Sequence, residues 1–418
     1  MLCEKCQINE QYLNEKLTEF YLKLNLCDRI VVKKGETMNF DQMIDRRNTE
    51  SLKWNLYGKD VLPLWVADTD FLSPPEVVEA LHKRVEHGIF GYGCIPEGFN
   101  EVVVRRMKTK YDWDVDAEQI SCVPGIVTGF NLLMRCACEK GGAVIFQTPA
   151  YPPFINSPVC AGLTGIHNPM YLDQDGKYKI DFDLFEKQII ENKVKVYILC
   201  NPQNPTGRVF TREELEKLAD ICLRHQVLIC SDEIHCDILY DGNKHIPIAS
   251  LSPEVSKITA TFMAPSKTYN IAGLHASVAI IQDEEMRNRY LKYKSYLVGN
   301  PGLLAMVAAK AAYEHGDEWL KENNAYLQGN RDRIEELLPT KLRGVSWSKP
   351  EATFLAWLDF RNTGIEGDHQ QYLIEHAKVA LNEGSAFGEE GKGFLRLNFG
   401  CTRSILDEAI ERISKALP

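Results

Sequence analysis

The 418-residue chain contains no apolar run that approaches the ~20 residues needed to cross a bilayer, so no membrane span is expected. Its first residues, Met1 to Cys6, lack the apolar core of a secretory signal, and a cytoplasmic location is therefore the expectation. Basic residues are not in excess, because 48 Lys and Arg stand against 58 Asp and Glu, a net charge of −10. This balance gives no reason to expect binding to nucleic acid or to an anionic membrane.

Cysteine occurs thirteen times, but its spacing does not form a metal-binding pattern. Cys3 and Cys6 have no second pair at zinc-finger spacing, and Cys136 and Cys138 lie in a predicted helix. Others, such as Cys200, lie inside apolar runs, as free thiols in a reducing compartment commonly do. We therefore expect buried free thiols and no metal site.

The pattern along the chain predicts an α/β protein with four parts. Residues 1–38 form an appendage with an amphipathic helix at 11–26, and residues 39–74 form an irregular N-terminal arm. In residues 75–305, short Val- and Ile-rich runs alternate with helical patterns, which indicates a large domain with a mainly parallel sheet. Residues 306–418 are typical of a smaller α+β domain.

Individual elements are predicted from apolar periodicity and from Pro and Gly positions. The predicted strands are 141–147, 194–200, 226–230, 258–262, 277–282, 352–359 and 393–399. The predicted helices are 211–225, 301 to about 338, 368–383, 403–416, and one that starts at Pro74 and Pro75 with Ser73 as its cap.

Three predicted strands end in polar residues that together suit an aldehyde cofactor: Lys267, Asp232 and Asn204. A desolvated amine can form a Schiff base with pyridoxal 5'-phosphate (PLP). A carboxylate can keep the ring nitrogen protonated, and an amide can donate to the phenolic oxygen. Each residue alone has a plainer interpretation, as a surface lysine, a strand-end acid or an Asx turn. The strings APSKTYNIAGL at 264–274 and NPQNPTG at 201–207 favour the cofactor site.

Further candidate ligands lie in three other segments. The turn VPGIVTG precedes a helical pattern, so the amides of Gly125, Ile126 and Val127 are placed to bind a phosphate. Tyr151, in a Pro-rich loop, is a candidate to stack on the cofactor ring. Arg396 alternates with apolar residues on a strand and suits bidentate pairing with a substrate α-carboxylate. The plainer interpretations are a common strand–helix turn, a packed tyrosine and an ordinary ion pair.

Taken together, these strings resemble PLP enzymes of fold type I, the aspartate aminotransferase superfamily. The resemblance runs from about residue 40 to the C-terminus and includes the order of the motifs. Within that superfamily the chain looks most like the cystathionine β-lyase-like C–S lyases of the MalY/PatB type. Three segments carry this second resemblance: NTESLKW at 48–54, LPLWVADTDF at 62–71 and FGYGCIPEGF at 90–99.

The resemblance implies a large PLP-binding domain with a mainly parallel seven-stranded sheet flanked by helices. It also implies a smaller α+β domain made from both chain ends, and a homodimer with shared active sites. Trp65 would border the substrate pocket, and Tyr92 would contact substrate and the phosphate of the neighbouring subunit's cofactor. Ser266 and His235 would be further cofactor contacts, and Asn204 would contact the substrate as well as the cofactor.

Four positions depart from the family pattern. Typical aminotransferases have a phosphate-binding arginine eight residues after the Schiff-base lysine, and this chain has His275 there. Lyases of this branch commonly lack that arginine, so the change favours a lyase over an aminotransferase. His235 stands where aminotransferases often have tyrosine. Asn55 and Thr69 replace an aspartate and a methionine that are frequent in the branch, and they bear on substrate preference.

The functional hypothesis is α,β-elimination from an L-amino acid that carries sulfur on Cβ, such as cystathionine or another cysteine conjugate. Arg396 would bind the substrate carboxylate, and Lys267 would remove the Cα proton as general base. The products would be a thiol, pyruvate and ammonia. Two alternatives remain: a class I/II aminotransferase with the same cofactor, and a PLP-binding regulatory protein whose chemistry is incidental.

Overall fold

The structure, a computed structural model, describes residues 38–418. The predicted helix at 11–26 and the Cys3 and Cys6 pair lie outside the described residues. Between residues 38 and 418, no helix is both long enough and apolar enough to cross a bilayer. The ten cysteines in the same part of the chain are free thiols.

Helices and strands alternate along most of the described chain. The α-helices are α1 Leu52–Asn55, α2 Pro75–Glu86, α3 Phe99–Tyr111, α4 Ile126–Ala137, α5 Pro152–Cys160, α6 Phe182–Asn192, α7 Arg212–Arg224, α8 Pro253–Lys257, α9 Pro265–Thr268, α10 Glu284–Leu297, α11 Leu303–His315, α12 Asp317–Lys341, α13 His369–Tyr372 and α14 Arg403–Ala416. The strands are β1 Leu62–Pro63, β2 Ile120–Val123, β3 Ala143–Thr148, β4 Thr164–Pro169, β5 Tyr171–Leu172, β6 Tyr178–Lys179, β7 Val196–Cys200, β8 Leu228–Asp232, β9 Thr259–Met263, β10 Ser277–Ile281, β11 Ser346–Trp347, β12 Leu355–Asp359, β13 Val379–Ala380, β14 Asn382–Glu383 and β15 Phe394–Asn398.

A seven-stranded sheet has the order β2-β10-β9-β8-β7-β3-β4. Strands β9, β8, β7, β3 and β4 are parallel, whereas β10 is antiparallel to β9 and β2. Side chains of β7 alternate between two apolar clusters, with Ile198 packed in one and Leu199 in the other. Burial on both faces explains why this strand is a continuous apolar run in the sequence. The predicted mainly parallel seven-stranded sheet is confirmed.

Parallel pairing brings the carboxyl ends of β7, β8 and β9 to one edge of the sheet. Cys200, the last residue of β7, lies opposite Asp232, the last residue of β8. Asp232 in turn lies opposite Phe262 of β9. The loops that carry Asn204 and Lys267 therefore begin on either side of Asp232, which is the arrangement that the three strand ends predicted.

A smaller antiparallel sheet, β11-β12-β15-β14, lies in the C-terminal part of the chain. Near it, β1 pairs in parallel with β13, so that Leu62 lies opposite Val379. Segments from both ends of the described chain thus contribute to this unit, which agrees with a small domain made from both chain ends. The domain boundaries 39–74, 75–305 and 306–418 stay predictions.

The predicted helical stretch from Pro301 to about Leu338 is present but interrupted, because α11 and α12 meet at Gly316. A Cβ atom at Gly316 would lie 2.4 Å from Cε1 of Tyr269 and 2.6 Å from the carbonyl oxygen of Ala312. Only glycine leaves room for this approach. The buried ring of Tyr269, two residues after Lys267, therefore packs where the two helices join.

The prediction of a helix over residues 368–383 is wrong beyond its first turns. Helix α13 ends at Tyr372 and is followed by a π-helical turn over Leu373–Ala377. Lys378 then adopts a left-handed conformation, with φ of 56°, and the chain continues as β13 and β14. The apolar residues after Lys378 pair with the distant β1, and this tertiary contact overrides the local helical pattern.

Ser73 is not the predicted cap of α2. Pro74 occupies the N-cap position without a side-chain hydrogen bond, and the Ser73 hydroxyl donates to the carbonyl oxygen of Asn270 at 3.1 Å. The other predicted strands and helices agree with the structure to within about three residues at each end. Helix α14, at Arg403–Ala416, agrees at both ends.

Candidate active site

A cavity of about 520 Å³ lies at the carboxyl ends of β7, β8 and β9. Its walls include every predicted cofactor or substrate residue except Tyr92. These residues are Trp65, Gly125, Ile126, Val127, Tyr151, Asn204, Asp232, His235, Ser266, Lys267 and Arg396. The fold therefore brings together in one cavity the segments that were singled out separately along the sequence.

Lys267 lies on α9, a short helix that begins with Pro265 directly after β9. Its amine donates to the carbonyl oxygen of Ala67 at 2.5 Å. Burial lowers the pKa of Lys267 to about 8; the Asp68 carboxylate opposes this shift, and the Arg396 guanidinium adds to it. An amine with this pKa is substantially deprotonated at mildly alkaline pH, as a covalent tether and general base requires.

Asp232 is the last residue of β8, and it is buried in the cavity wall. Burial raises the pKa of its carboxyl group to about 7, and the backbone N–H of Ile234, 3.1 Å from Oδ1, partly offsets this shift. Among the described residues no side chain donates a hydrogen bond to this carboxylate. A protonated ring nitrogen in the cavity would supply the missing donor and favour the ionised acid.

A second buried acid lies next to Asp232 and is fully paired. Oε2 of Glu233 is 2.7 Å from Nε2 of His245, and Oε1 accepts a hydrogen bond from Ser231 at 2.8 Å. Glu233 and His245 are both fully buried. This pair could not be found in the sequence, because His245 lies outside every motif and only the fold brings it to Glu233. With Glu233 occupied, Asp232 is the acid of the two that is available to the cavity.

Arg396 lies on β15 and connects both sides of the cavity. Its Nη1 donates to Oδ1 of Asn204 at 3.0 Å, and its Nη2 donates to the carbonyl oxygen of Trp65 and to Oδ1 of Asn382. The guanidinium carbon lies 4.9 Å from the ring centre of Phe387. Burial lowers the pKa of Arg396 to about 10, but the group remains a cation at neutral pH. Asn382 and Phe387 were not predicted. Asn382 lies in the misassigned second part of the 368–383 segment, and Phe387 lies four residues beyond its end.

The turn before α4 has the features of an anion site. Gly125 has φ of 92°, and a Cβ there would have only Nδ1 of His275, 3.8 Å away, within 4 Å. The first amides of α4, including those of Ile126 and Val127, have no acceptor within the helix. Space beside free amides at a helix N-terminus suits a phosphate group. Tyr151 lines the same cavity.

His235 is buried in the cavity wall three residues after Asp232. Burial lowers the pKa of His235 to about 3, and the charges of Lys267 and Arg396 act in the same direction. Its Nδ1 atom has no hydrogen-bond partner among the described residues. A neutral imidazole whose Nδ1 atom has no partner can form one hydrogen bond to a bound cofactor without carrying charge. Ser266 lines the cavity beside Lys267.

Tyr92 is absent from the cavity walls of this chain. Its side chain is fully exposed, in a loop where Ile89 and Phe90 are also exposed. Large apolar side chains clustered on a surface loop are typical of a contact with another protein. That Tyr92 contacts the substrate and the cofactor phosphate of a neighbouring subunit stays a prediction.

The donors and acceptors of the cavity fit PLP. Asp232 is an acid without a side-chain partner, which matches a protonated pyridine nitrogen. The Nε atom of Arg396 and Nδ1 of His235 are buried without partners among the described residues, so both have capacity for a polar ligand. Lys267 offers an amine for the aldehyde, and the turn at Gly125 offers amides for the phosphate.

Comparison with known proteins agrees with this chemistry. Residues 59–413 match the family model described as aminotransferase class I and II. Cystathionine beta-lyase PatB of Bacillus subtilis (strain 168) is 41% identical over 387 residues, which cover 91% of this chain and 100% of that protein. Cystalysin from Treponema denticola, whose structure contains PLP, is 32% identical with a TM-score of 0.87, covering 91% and 99% of the two chains. A PLP-bound C-S lyase from Staphylococcus hominis is 33% identical with a TM-score of 0.86, covering 92% and 99%.

Proposed function

The chain belongs to the aminotransferase class I and II family, and we propose that within it the protein is a PLP-dependent carbon–sulfur β-lyase. Its reaction is α,β-elimination from an L-cysteine conjugate such as cystathionine, followed by hydrolysis, so that one water is consumed and a thiol, pyruvate and ammonia are released. The observation that carries the proposal is one cavity that holds Lys267, Asp232, Asn204 and Arg396. The similarity to C–S lyases over nine-tenths of the chain supports the lyase over the aminotransferase.

Lys267 and Asp232 carry the chemistry at the cofactor. When bound, PLP supplies an electron sink that stabilises negative charge at Cα of an amino acid. Asp232 provides the acceptor for its ring nitrogen, and Lys267 tethers it between turnovers. With cofactor and substrate bound, the Nζ atom of Lys267 would act as the general base that accepts the Cα proton. Burial lowers the pKa of this amine to about 8, so a larger fraction is deprotonated near neutral pH than for an exposed lysine.

Arg396 and its neighbours orient the substrate. The guanidinium is buried, and its Nε atom has no partner among the described residues, so the α-carboxylate of a substrate meets an under-satisfied cation. Asn204 contacts Arg396 and is placed to donate to the phenolic oxygen of the cofactor. Trp65 borders the same space as Arg396 and limits it on the side of the N-terminal arm. Asn204 and Arg396 are buried, so this part of the cavity is shielded from bulk water.

The protein acts as a homodimer with shared active sites. The exposed loop with Ile89, Phe90 and Tyr92 supports this, because such a surface is unfavourable in water unless it is covered. Tyr92 reaches the phosphate site of the neighbouring subunit and borders its substrate. The free thiols of the described residues support a reducing compartment, and the location is cytoplasmic.

The direct test is product analysis with purified full-length protein. Cystathionine and a panel of cysteine S-conjugates are supplied, and pyruvate and free thiol are quantified together with the visible absorption of the cofactor. We expect pyruvate and thiol in equal amounts. A cofactor-loaded protein that only exchanges amino groups with 2-oxo acids would overturn the lyase in favour of the aminotransferase. Loading without turnover of any kind would favour a regulatory protein.

A further inference from the structure

A short backbone segment, residues 65–70, contacts both principal cations of the site. The carbonyl oxygen of Trp65 accepts from Nη2 of Arg396 at 3.0 Å, and that of Ala67 accepts from Nζ of Lys267 at 2.5 Å. We call this segment the strap. The strap contacts these cations through main-chain oxygens. The position of these oxygens therefore depends on the residues that fix the strap backbone, and not on the side chain of Ala67.

Asn398 holds the strap from the side of Arg396, which lies two residues earlier on β15. Its Nδ2 donates to the carbonyl oxygens of Val66 and Asp68, at 2.6 Å each. These carbonyls flank Ala67, so the peptide groups on both sides of the Lys267 contact are fixed. Asn398 is itself fully buried, and its Oδ1 accepts from the N–H of Gly400 at 2.7 Å. Each polar atom of its amide therefore has a defined partner.

Asn270 holds the strap from the side of Lys267, which lies three residues earlier. Its Oδ1 accepts from the N–H of Thr69 at 3.1 Å, and its Nδ2 donates to the carbonyl oxygens of Thr69 and Phe71 at 3.1 and 2.7 Å. Asn270 has φ of 54°, a left-handed conformation that asparagine tolerates better than most residues. This conformation and the amide together bring the loop of Lys267 against the strap.

The far end of the strap is fixed by buried charge. Asp70 accepts from Lys53 at 2.8 Å, from Arg46 at 2.7 Å and from Trp54 at 2.8 Å. Asp68 also pairs with Arg46 at 2.8 Å. None of these residues lines the cavity. Apart from Arg396 and Lys267 themselves, the two asparagines are the side chains that join the strap to the segments of those two cations by hydrogen bonds within the described residues.

We propose that Asn398 and Asn270 are positioning residues that hold the strap in register with Lys267 and Arg396, so that the Ala67 carbonyl sets the place of the Lys267 amine. The expected loss of activity rests on the proposed lyase function, whereas the positioning of Lys267 by the strap does not. Neither asparagine lines the cavity, so both act through the strap rather than on the substrate.

The test uses full-length protein with its cofactor and three variants. Asn398→Ala removes both hydrogen bonds that flank Ala67. Asn270→Gly removes the second amide, and glycine adopts the same φ without strain. The matched control is Asn168→Ala, because Asn168 is also fully buried and hydrogen-bonded through both amide atoms, but on β4 at the edge of the large sheet. Thermal unfolding of all three shows how much stability each one loses.

We expect kcat for pyruvate release to fall about tenfold or more in both strap variants, since small displacements of a catalytic group are costly. The pH midpoint of the cofactor's visible absorption should also fall by about half a unit. The strap carries the carbonyl dipole of Ala67 and the carboxylate of Asp68, which favour positive charge on the lysine nitrogen, and loosening it weakens both. Asn168→Ala should change neither quantity at a comparable loss of stability.

Unchanged kcat and an unshifted midpoint in both strap variants would overturn the proposal. An equal effect in Asn168→Ala would also overturn it, because the effect would then follow from stability alone. If Asn398→Ala does not fold, Asn270→Gly carries the test. If the native protein releases no pyruvate, the lyase function fails, whereas the absorption midpoint still decides whether the asparagines position Lys267.

Discussion

The guanidinium of Arg396 donates from Nη1 to Oδ1 of Asn204 at 3.0 Å, although 192 residues separate the two in sequence. This contact orients the Asn204 amide, because the oxygen faces the cation and the amino group is left to donate elsewhere. The residue proposed for the substrate carboxylate and the residue proposed for the cofactor's phenolic oxygen are therefore in direct contact. We therefore expect substrate binding and cofactor hydrogen bonding to be coupled through this pair.

The first prediction concerns carboxylate recognition by Arg396. Arg396→Lys should lower kcat/KM about 100-fold, mainly through KM, because a lysine ammonium cannot reproduce bidentate pairing. Steady-state kinetics of pyruvate release measures the effect. As a control, an S-conjugate that lacks the carboxylate should react poorly with both proteins, so the variant should discriminate less between the two substrates. Equal KM values in native protein and variant would contradict this role.

The second prediction concerns Lys267. Lys267→Ala should reduce pyruvate release at least about 1000-fold, because both the tether and the general base are lost. The matched control is Lys187→Ala, since Lys187 is largely exposed on α6. Borohydride reduction followed by peptide mass analysis should find the phosphopyridoxyl group on Lys267 in the native protein. A modified peptide elsewhere, or a fully active variant, would remove Lys267 from the mechanism.

The third prediction concerns the stability of the cofactor-free protein and Asp232. The pKa of this group is about 7 in the folded protein and 3.8 in a model compound, so the folded state binds more protons between these values. Asp232 should therefore lower the free energy of unfolding by ~1 kcal/mol for each unit that the pH rises from about 4 to about 7. Asp232→Asn should remove this loss, as urea unfolding at pH 4.5, 6 and 7.5 would measure.

The same variant should lose most activity in the cofactor-loaded protein, because asparagine cannot keep the ring nitrogen protonated. A stabilised cofactor-free protein together with an impaired enzyme is therefore the expected pair of results. An Asp232→Asn variant with native activity would contradict the proposed role, and one with the native pH dependence of unfolding would contradict the raised pKa.

The fourth prediction concerns His235, whose pKa is lowered to about 3 from 6.5. Here the unfolded state binds more protons, so the group should lower the free energy of unfolding as the pH falls from about 6.5 towards 3. Between about pH 4 and 6.5 its effect opposes that of Asp232, and the two should largely cancel. His235→Gln should make the cofactor-free protein relatively more stable at pH 4.5 than at pH 7. An unchanged pH profile of urea unfolding would show that His235 is protonated, or exposed, in the folded protein.

The fifth prediction concerns the shared site and Tyr92. Tyr92→Phe should weaken cofactor retention about tenfold, since one hydrogen bond to a phosphate is lost. When Lys267→Ala and Tyr92→Ala chains are mixed and allowed to exchange, hybrid dimers should regain activity, because one of their two sites then has both native residues. Size-exclusion chromatography with light scattering should show a dimer. A monomer, or a mixture no more active than its components, would contradict the shared site.

The residues proposed to contact the cofactor could be found in the sequence because each lies in a local string. Lys267, Asp232 and Asn204 follow apolar runs that are buried on both faces, and parallel strands place their carboxyl ends at one edge. The structure of residues 368–383 could not be predicted correctly beyond the first helical turns. Its apolar residues fit a helical period, and the competing partner, β1, lies more than 300 residues earlier in the chain.

The sequence by itself determined the alternation of strands and helices in the large domain and the identity of the chemical groups at the strand ends. The alternation follows from local apolar periodicity, and the chemical groups follow from the polar residue types in the strings at the strand ends. Only the tertiary structure decided the contacts of Lys267 with Ala67, of Arg396 with Asn204, and of Glu233 with His245. Each is a hydrogen bond between separate segments of the chain, and its geometry depends on how whole elements pack, which no local pattern records.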